Sequence, residues 1–419
     1  MLLTFKIRLE LTKEQETVLN FISNEGRVLY NSFLSNIREH YEKHNKFISY
    51  YEQQKQLKNY KTEYLTFDLK KEILRTLHNN YASFFKLLKH SKSLNPKSPR
   101  FRSDKYFFTI SFTQDFIINN NIIKLSYSNY RKLELPLLYY KPILNLRCLR
   151  NKTKESVIKQ MKIYKRGDKY YASIVYEKKE EELKEIDKCN IFSIDLGRKN
   201  LLAIYDVGSN SGMVYSSIYL HKNQNYYDKR IDELKSKRDK KKKHSRKYKK
   251  LRLKLDKSYS KKRVQTNLVL HKVSKNLSEQ GKTILIGELT NLKQNIISDK
   301  RRTNRQMQNN WNLMTFIRLL SYKNRIRGNE VIKVNEAWTS KTCCKCGSIN
   351  YDLELSNRRY ICDCGNDINR DINGTINIYK HYMGGYSTPV DVDNISISER
   401  FDWCNINQMN RNYRYYKRL

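Results

Sequence analysis

The chain opens with a strict alternation of apolar and polar residues, the period of a β-strand with one solvated face. The apolar positions are Leu3, Phe5, Ile7, Leu9 and Leu11. Thr12 and Gln15 follow with the spacing of a capping box, which predicts that a helix begins there. Helical patterning continues to about Lys89, and Pro96 and Pro99 then break it because proline fits poorly inside a helix.

From Phe107 to about Tyr176 the pattern is typical of strands, with short apolar stretches separated by polar turns such as Arg-Gly-Asp at 166–168. The stretches are FFTISF, NIIKLSY, KLELPLL and YYASIVYE. They predict a small β-barrel or sandwich that the first strand could close. An acidic linker, EKKEEELKEIDK, leads into the second half of the chain.

The second half alternates predicted strands and helices. Two buried strands at 190–195 and 201–207 flank a Gly-Arg-Lys turn, and a third strand follows near 213–219. Further on come a strand (TILIGEL), a helix (WNLMTFIRLLSYKNRI), a strand (VIKVNEAW), a cysteine cluster and a last helix near 371–382. No pattern predicts an element beyond Gly384.

Residues 221–263 are strongly basic, with 20 Lys and Arg against five Asp and Glu. A block of like charges is usually a disordered tail. Apolar and aromatic residues nevertheless recur here at helical spacing: Tyr248, Leu251, Leu255 and Tyr259. This spacing favours a basic helical hairpin over about 221–280.

Charge points to the class of partner. The 419 residues carry a formal net charge of +41, which favours a polyanion such as nucleic acid and binding that weakens steeply with salt. No apolar run approaches the roughly 18 residues of a membrane span, and no amphipathic anchor is evident. We therefore expect an intracellular protein that acts on nucleic acid and not on a membrane.

Three acidic residues end or begin predicted elements: Asp195 and Glu288 at strand ends, and Asp371 at the start of the last helix. One aspartate before a glycine turn is usually only a turn residue. The order of elements, however, is that of an RNase H-like nuclease, in which such carboxylates hold two Mg²⁺ ions. Without metal, the carboxylates would repel and at least one should have a raised pKa.

Five of the eight cysteines cluster within 22 residues, which indicates metal binding and not a disulfide scaffold. Cys343 and Cys346 form one pair, and Cys362 and Cys364 follow after a 15-residue gap, each pair preceding a glycine. Tetrahedral Zn²⁺ explains both pairs. Because the usual second pair is C-x2-C, Cys344 or Cys404 remains an alternative to Cys364 as the fourth ligand.

At these residues the sequence resembles the TnpB family of transposon-encoded, RNA-guided nucleases and its eukaryotic and viral relatives called Fanzor. The matching stretches are IDLGRKNLLAIYD, IGELTNLK, WTSKTCCKCGS and DINRDINGTINI, in family order. Asn369 stands where the family often has aspartate, and Gly374 where bacterial members commonly have alanine.

The resemblance implies roles for individual residues. Asp195, Glu288 and Asp371 match the three carboxylates of a RuvC site, and Cys343, Cys346, Cys362 and Cys364 match the ligands of a structural zinc ribbon. It implies a multidomain α+β protein with an RNase H-like (RuvC) α/β core. The expected domains are a wedge-like β-barrel (1–11 and 100–185), an inserted helical recognition lobe (12–99), the RuvC domain (186–340 and 366–383), the zinc ribbon (341–365) and a C-terminal tail (384–419).

The function implied by the resemblance is RNA-guided, Mg²⁺-dependent cleavage of double-stranded DNA next to a short target-adjacent motif. The partners would be an omega-type guide RNA and double-stranded target DNA. The protein would act where this DNA is kept: in the nucleus if it is eukaryotic or viral, and in the cytoplasm or nucleoid if it is bacterial. Two alternatives stay open: a catalytically silent, RNA-guided DNA-binding regulator and an unguided RuvC-type nuclease. Regulators commonly lose a carboxylate, and all three positions are filled here.

Overall fold

The computed structural model describes residues 1–90, 96–119, 122–126, 138–142, 157–197, 200–288, 313–354, 357–385 and 387–400. The chain divides into two compact units, the first ending at Lys179 and the second beginning at Glu180, inside the acidic linker. Within these ranges, no helix combines the length and the apolarity that a membrane crossing requires.

The helices of the first unit are α1 (Lys13–His44), α2 (Tyr50–Gln56) and α3 (Phe67–His90). The predicted capping box is confirmed: Thr12 Oγ1 accepts from Gln15 N at 3.3 Å, and Gln15 Oε1 accepts from Thr12 N at 3.0 Å. A second capping box at Ser49 begins α2, so the single helical stretch expected from the pattern is divided.

The first unit also contains one seven-stranded sheet with the order β2-β6-β7-β1-β5-β4-β3. Its strands are β1 (Leu2–Glu10), β2 (Ile110–Phe112), β3 (Phe116–Asn119), β4 (Ile122–Leu125), β5 (Leu138–Pro142), β6 (Val157–Arg166) and β7 (Lys169–Glu177). The first strand lies in the middle of this sheet, antiparallel to both β7 and β5. Closure into a barrel stays a prediction, as does the role of this unit as wedge and recognition lobe.

The second unit is built on a six-stranded sheet with the order β12-β11-β8-β9-β10-β15, beside a two-stranded ribbon of β13 and β14. The strands are β8 (Ile191–Asp195), β9 (Asn200–Asp206), β10 (Ser211–Ser216), β11 (Thr283–Glu288), β12 (Val331–Asn335), β13 (Arg359–Ile361), β14 (Asp367–Asn369) and β15 (Ser396–Arg400). The first three are antiparallel neighbours, whereas β11 runs parallel to β8 and β12 runs parallel to β11. The last strand pairs with β10 inside the segment expected to be a tail.

The helices of the second unit are α4 (Ile218–Asp239), α5 (Arg246–Glu279), α6 (Leu313–Arg325) and α7 (Arg370–Tyr382). The predicted basic hairpin is confirmed, because α4 and α5 pack together through Tyr227, Ile231 and Leu255 and are joined by an ion pair of Lys262 with Asp228 at 2.6 Å.

Helix α7 packs on the face of the sheet opposite to α5 and α6. Ser193 Oγ on β8 donates to the carbonyl of Thr375 at 2.7 Å, which attaches the helix to the central strand. Gly212 on β10 leaves room for Ile372, since a Cβ there would lie 3.1 Å from the isoleucine Cδ1. The start of α7 is thereby held at the end of β8.

Candidate active site and cysteine cluster

Asp195 ends β8 and is the centre of the candidate active site. The pKa of Asp195 is raised to about 7, mainly by burial and then by the negative charges of Asp371 and Glu336, against opposing effects of Arg370 and the amide of Leu196. The raised carboxylate pKa expected from the sequence is confirmed. A protonated or metal-bound aspartate is the stable form here, because an unpaired charge in this place is costly.

Asp371 lies in the first turn of α7, where a carboxylate is favoured by the helix dipole. Asn369 is the N-cap: its Oδ1 accepts from the amides of Asp371 at 2.9 Å and Ile372 at 3.4 Å. This capping role suits asparagine as well as the aspartate common in the family. Asn200, the first residue of β9, donates from Nδ2 to Asp371 Oδ2 at 2.5 Å and so orients that carboxylate.

Glu288 lies at the exposed end of β11. The register of β11 with β8 ends at the pair of Ile286 with Ile194, and Glu288 lies two residues beyond that pair. The structure thus brings Asp195 and Asp371 together and leaves Glu288 at the rim.

Glu336 is a further carboxylate whose negative charge acts on Asp195, and the sequence did not indicate it. It follows β12, is partly buried, and burial raises the pKa of its carboxyl. Its Oε2 contacts the place where Gly287 would carry a Cβ, so only glycine leaves room for it. The pattern of apolar and polar residues did not indicate Glu336, because the position of this residue depends on the pairing of β12 with β11.

Gly374 permits the close approach of α7 to the aspartate. A Cβ at this position would lie 3.3 Å from Asp195 Oδ2 and 3.7 Å from Ser340 Oγ. The absent methyl therefore leaves a narrow space among Asp195, Ser340 and the helix.

The four predicted zinc ligands come together in the second unit. The sulfurs of Cys343, Cys346, Cys362 and Cys364 all lie within 4.8 Å of one another. Cys364 is part of this group, 3.7 Å from Cys343, whereas the alternative Cys404 lies outside the described residues. Four thiolates at this spacing could hold a tetrahedral Zn²⁺.

Polar groups surround the cluster. The hydroxyl of Ser348 lies 3.1 Å from Cys346 Sγ and, with the Ser348 amide, lowers the pKa of that thiol to about 6. Asn366 Nδ2 donates to Cys343 Sγ at 3.2 Å. Gly347 and Gly365 adopt φ of 80° and 81°, as expected for glycines that form tight turns after each cysteine pair. Such contacts favour the thiolate form that binds metal.

Two asparagines join the cysteine segment to α7. Asn373 Nδ2 and Asn377 Nδ2, one turn apart, both donate to the carbonyl of Thr342 at 2.7 Å, and Asn377 also donates to that of Thr339 at 2.8 Å. Asn373 Oδ1 accepts from the amide of Cys344 at 2.9 Å. Strand β14 continues directly into α7, the helix that carries Asp371. The cysteine ribbon is therefore connected to this helix by the backbone as well as by the asparagine hydrogen bonds.

Comparison with known proteins agrees with this architecture. A family model described as a probable transposase matches residues 173–294, and one described as a Cas12f1-like TNB domain matches 314–378. A third, described as a helix-turn-helix domain, matches residues 1–46, where the structure has β1 and one continuous helix, α1.

One named relative and one solved structure match about nine tenths of the chain, and a second relative matches a shorter segment. A protein of Escherichia coli (strain K12) named putative RNA-guided DNA endonuclease InsQ is 25% identical over 394 residues, 89% of this chain and 90% of that protein. A putative RNA-guided DNA endonuclease of Streptomyces pristinaespiralis is 30% identical over 110 residues, 26% of each chain. A cryo-EM structure of a Cas12f1–sgRNA–target DNA complex matches with a TM-score of 0.61 and 16% identity, over 90% of this chain and 98% of that chain.

The fold and the matched segments define a multidomain α+β protein of the TnpB/Cas12 type. Within that class, the matched family models and the relative that is 25% identical over 89% of the chain support the resemblance to the TnpB family.

Proposed function

We propose that the protein is an RNA-guided DNA endonuclease with a RuvC-type, Mg²⁺-dependent site. The observation that carries the proposal is the convergence of Asp195 and Asp371, which are 176 positions apart in the sequence, at the end of the central strand and the start of α7. Carboxylates that converge in a partly buried place repel each other unless a cation binds, and hard oxygen ligands favour Mg²⁺.

The residues present fit such an ion. Asp195 and Asp371 would hold it, with Glu336 beside them and Glu288 available at the rim of the same strand edge. Bound Mg²⁺ would activate water and stabilise the leaving oxygen in phosphodiester hydrolysis. The chain's own contribution is orientation: Asn200 fixes one oxygen of Asp371, and the charge of Arg370 favours the ionised form of Asp195.

Guidance by RNA is proposed from the relatives, whose names describe putative RNA-guided DNA endonucleases, and from the charge of this chain. The hairpin of α4 and α5 presents a basic surface suited to nucleic-acid backbones. We further propose recognition of a target-adjacent motif by the first unit, an origin in a transposon, a structural zinc ion in the ribbon, and action wherever the host keeps its DNA. A closer relation to Fanzor remains part of this proposal.

The first experiment identifies the guide. The protein is expressed with its native flanking DNA, purified at high salt, and the retained RNA is sequenced. We expect a discrete RNA with a structured scaffold and one end that runs into flanking sequence. A heterogeneous mixture of host RNA would contradict guidance and favour the unguided nuclease.

The second experiment tests cleavage with the guide complex and target DNA. Asp195→Ala should abolish Mg²⁺-dependent cutting while RNA retention stays unchanged, because it removes a metal ligand and no basic surface. Glu330→Gln, which alters an exposed carboxylate just before β12, serves as the matched control and should cut normally. Undiminished cutting by the Asp195 variant would refute the assignment, and a wild type that binds target without cutting would support the silent regulator.

A further inference from the structure

Trp338 combines two features that rarely occur together. Its backbone has a φ of 66°, in the left-handed region that bulky side chains avoid, and its side chain is 56% exposed. An exposed tryptophan gains little from burial, so core packing does not explain the residue. Strained residues of this kind cluster at functional sites when the surrounding structure holds them in place.

The surrounding hydrogen bonds do hold it. The carbonyl of Trp338 accepts from the amides of Lys341 at 2.9 Å and Thr342 at 3.0 Å, and from Thr342 Oγ1 at 3.0 Å. The carbonyl of Glu336 accepts from the amide and hydroxyl of Thr339 at 3.2 and 2.8 Å. The backbone of the turn from 336 to 342 is therefore held by hydrogen bonds around Trp338.

The two flanks of this turn both reach the candidate active site. Glu336 lies against Gly287, beside Asp195, and Ser340 Oγ lies near Gly374, which is close to Asp195 Oδ2. Trp338 is two residues from each, so its Cα is within about 7 Å of theirs. The turn that carries Trp338 therefore borders the carboxylate group on both of its sides.

A second exposed ring and a cation lie beside the indole. Tyr351 is 66% exposed, and its ring centroid is 6.0 Å from that of Trp338 at an angle of 70°. Lys341 Nζ donates to the carbonyl of Tyr351 at 2.6 Å, which places a positive charge next to the ring pair. Exposed aromatic rings next to a cation are the elements with which proteins bind unpaired bases and their phosphates.

We propose that Trp338, supported by Tyr351, is a stacking site for an unpaired DNA base of the strand that enters the carboxylate site. The occupant is a base of DNA because the turn borders the group of carboxylates proposed to act on DNA, and in this respect the inference rests on the proposed function. Stacking would hold that strand beside the carboxylates.

The test uses a variant that removes the ring without straining the fold. In Trp338→Gly the backbone keeps a φ that glycine adopts freely, so the unfolding temperature should stay the same or rise. Cutting of a target by the guide complex should nevertheless slow by on the order of tenfold, and Trp338→Phe should retain most of the rate because it keeps a ring. Ile349→Ala, which shortens a 41% exposed apolar side chain of the same ribbon, is the matched control and should cut normally.

A substrate change separates stacking from a structural role. Abasic residues are placed one at a time near the cut, and at one position the wild type should slow to the rate of Trp338→Gly while the variant slows no further. The inference would be overturned if wild type and Trp338→Gly cut intact DNA at equal rates. It would also be overturned if the variant were slower than the wild type by the same factor on every abasic substrate. Loss of guide RNA retention in the variant would show that the occupant is RNA and would also overturn it.

Binding of a single-stranded oligodeoxynucleotide to the full chain, measured by fluorescence polarisation, keeps the test independent of cleavage. Weaker binding by Trp338→Gly alone would support the stacking site even if the wild type fails to cut. Equal binding in that case would refute both proposals.

Discussion

Asn200 donates a hydrogen bond from Nδ2 to Oδ2 of Asp371 at 2.5 Å and so joins the start of β9 to the first turn of α7. The two residues are 171 positions apart. A bond to a charged acceptor of this kind orients the carboxylate and leaves its other oxygen available to a metal ion.

Replacement of Asn200 tests this orientation. We expect Asn200→Ala to lower the cleavage rate by about 10- to 100-fold and to increase the Mg²⁺ concentration needed for half-maximal rate, as for other residues that orient metal ligands. Asn200→Asp, of nearly equal size, should be worse because it adds a negative charge beside Asp371. Magnesium titrations of the cleavage rate give the measurement, and identical titrations for all three proteins would show that the bond has no role in metal binding.

The effect of Glu336 replacement on the Mg²⁺ requirement for cleavage should show the role of this carboxylate. If its carboxylate supports the metal site, Glu336→Gln should slow cleavage by about tenfold and raise the Mg²⁺ requirement. Gly287→Ala should act in the same direction, since its Cβ would overlap Glu336 Oε2 and displace the carboxylate. A variant that cuts at lower Mg²⁺ than the wild type would instead show that Glu336 only repels Asp195.

Single cysteine changes should define the zinc ligands. Cys343→Ser and Cys364→Ser are each expected to lower the zinc content of the purified protein and its unfolding temperature, because metal binding contributes directly to folding. Cys189→Ser, at an exposed cysteine outside the cluster, is the control and should keep its zinc. If Cys364→Ser kept its zinc and Cys344→Ser lost it, Cys344 and not Cys364 would be the fourth ligand.

The asparagine pair on α7 should be energetically coupled. Asn373→Ala and Asn377→Ala each leave buried carbonyls with fewer donors, and we expect each to cost about 1–3 kcal/mol of unfolding free energy. Both donate to the carbonyl of Thr342, so the double variant, which removes every side-chain donor to it from α7, should cost more than the sum. Denaturant unfolding of the wild type and the three variants gives the free energies for a double-mutant cycle. If the two single losses of unfolding free energy add up to that of the double variant, the two contacts are independent.

Local patterns predicted local structure well in this chain. The capping box at Thr12, the turn at Gly167 and the glycines after each cysteine pair are all determined by neighbours within a few residues. The second strand of the hairpin at Gly167 was predicted and the first, β6, was not. A register shift between Ile158 and Gln160 interrupts its alternation, and the pattern therefore gave a weak signal.

The parts that sequence did not reveal depend on pairing over long distances. Glu336 reaches Asp195 only because β12 pairs with β11 and Gly287 is in register with the end of β8. Strand β15 is short and mostly polar, and its partner β10 lies about 180 positions earlier. No local pattern records such neighbours.

The hydrogen bonds from Asn373 and Asn377 to the cysteine segment also have a kinetic consequence. Opening of the ribbon would free the carbonyls of Thr339 and Thr342 together with the amide of Cys344, so the first turns of α7 should open with it as one cooperative unit. Hydrogen exchange at the amides of this segment and of α7 would then occur at a common rate. An enzyme that loses its ribbon for a moment would lose the position of Asp371 for that same moment, and catalysis would pause until both close.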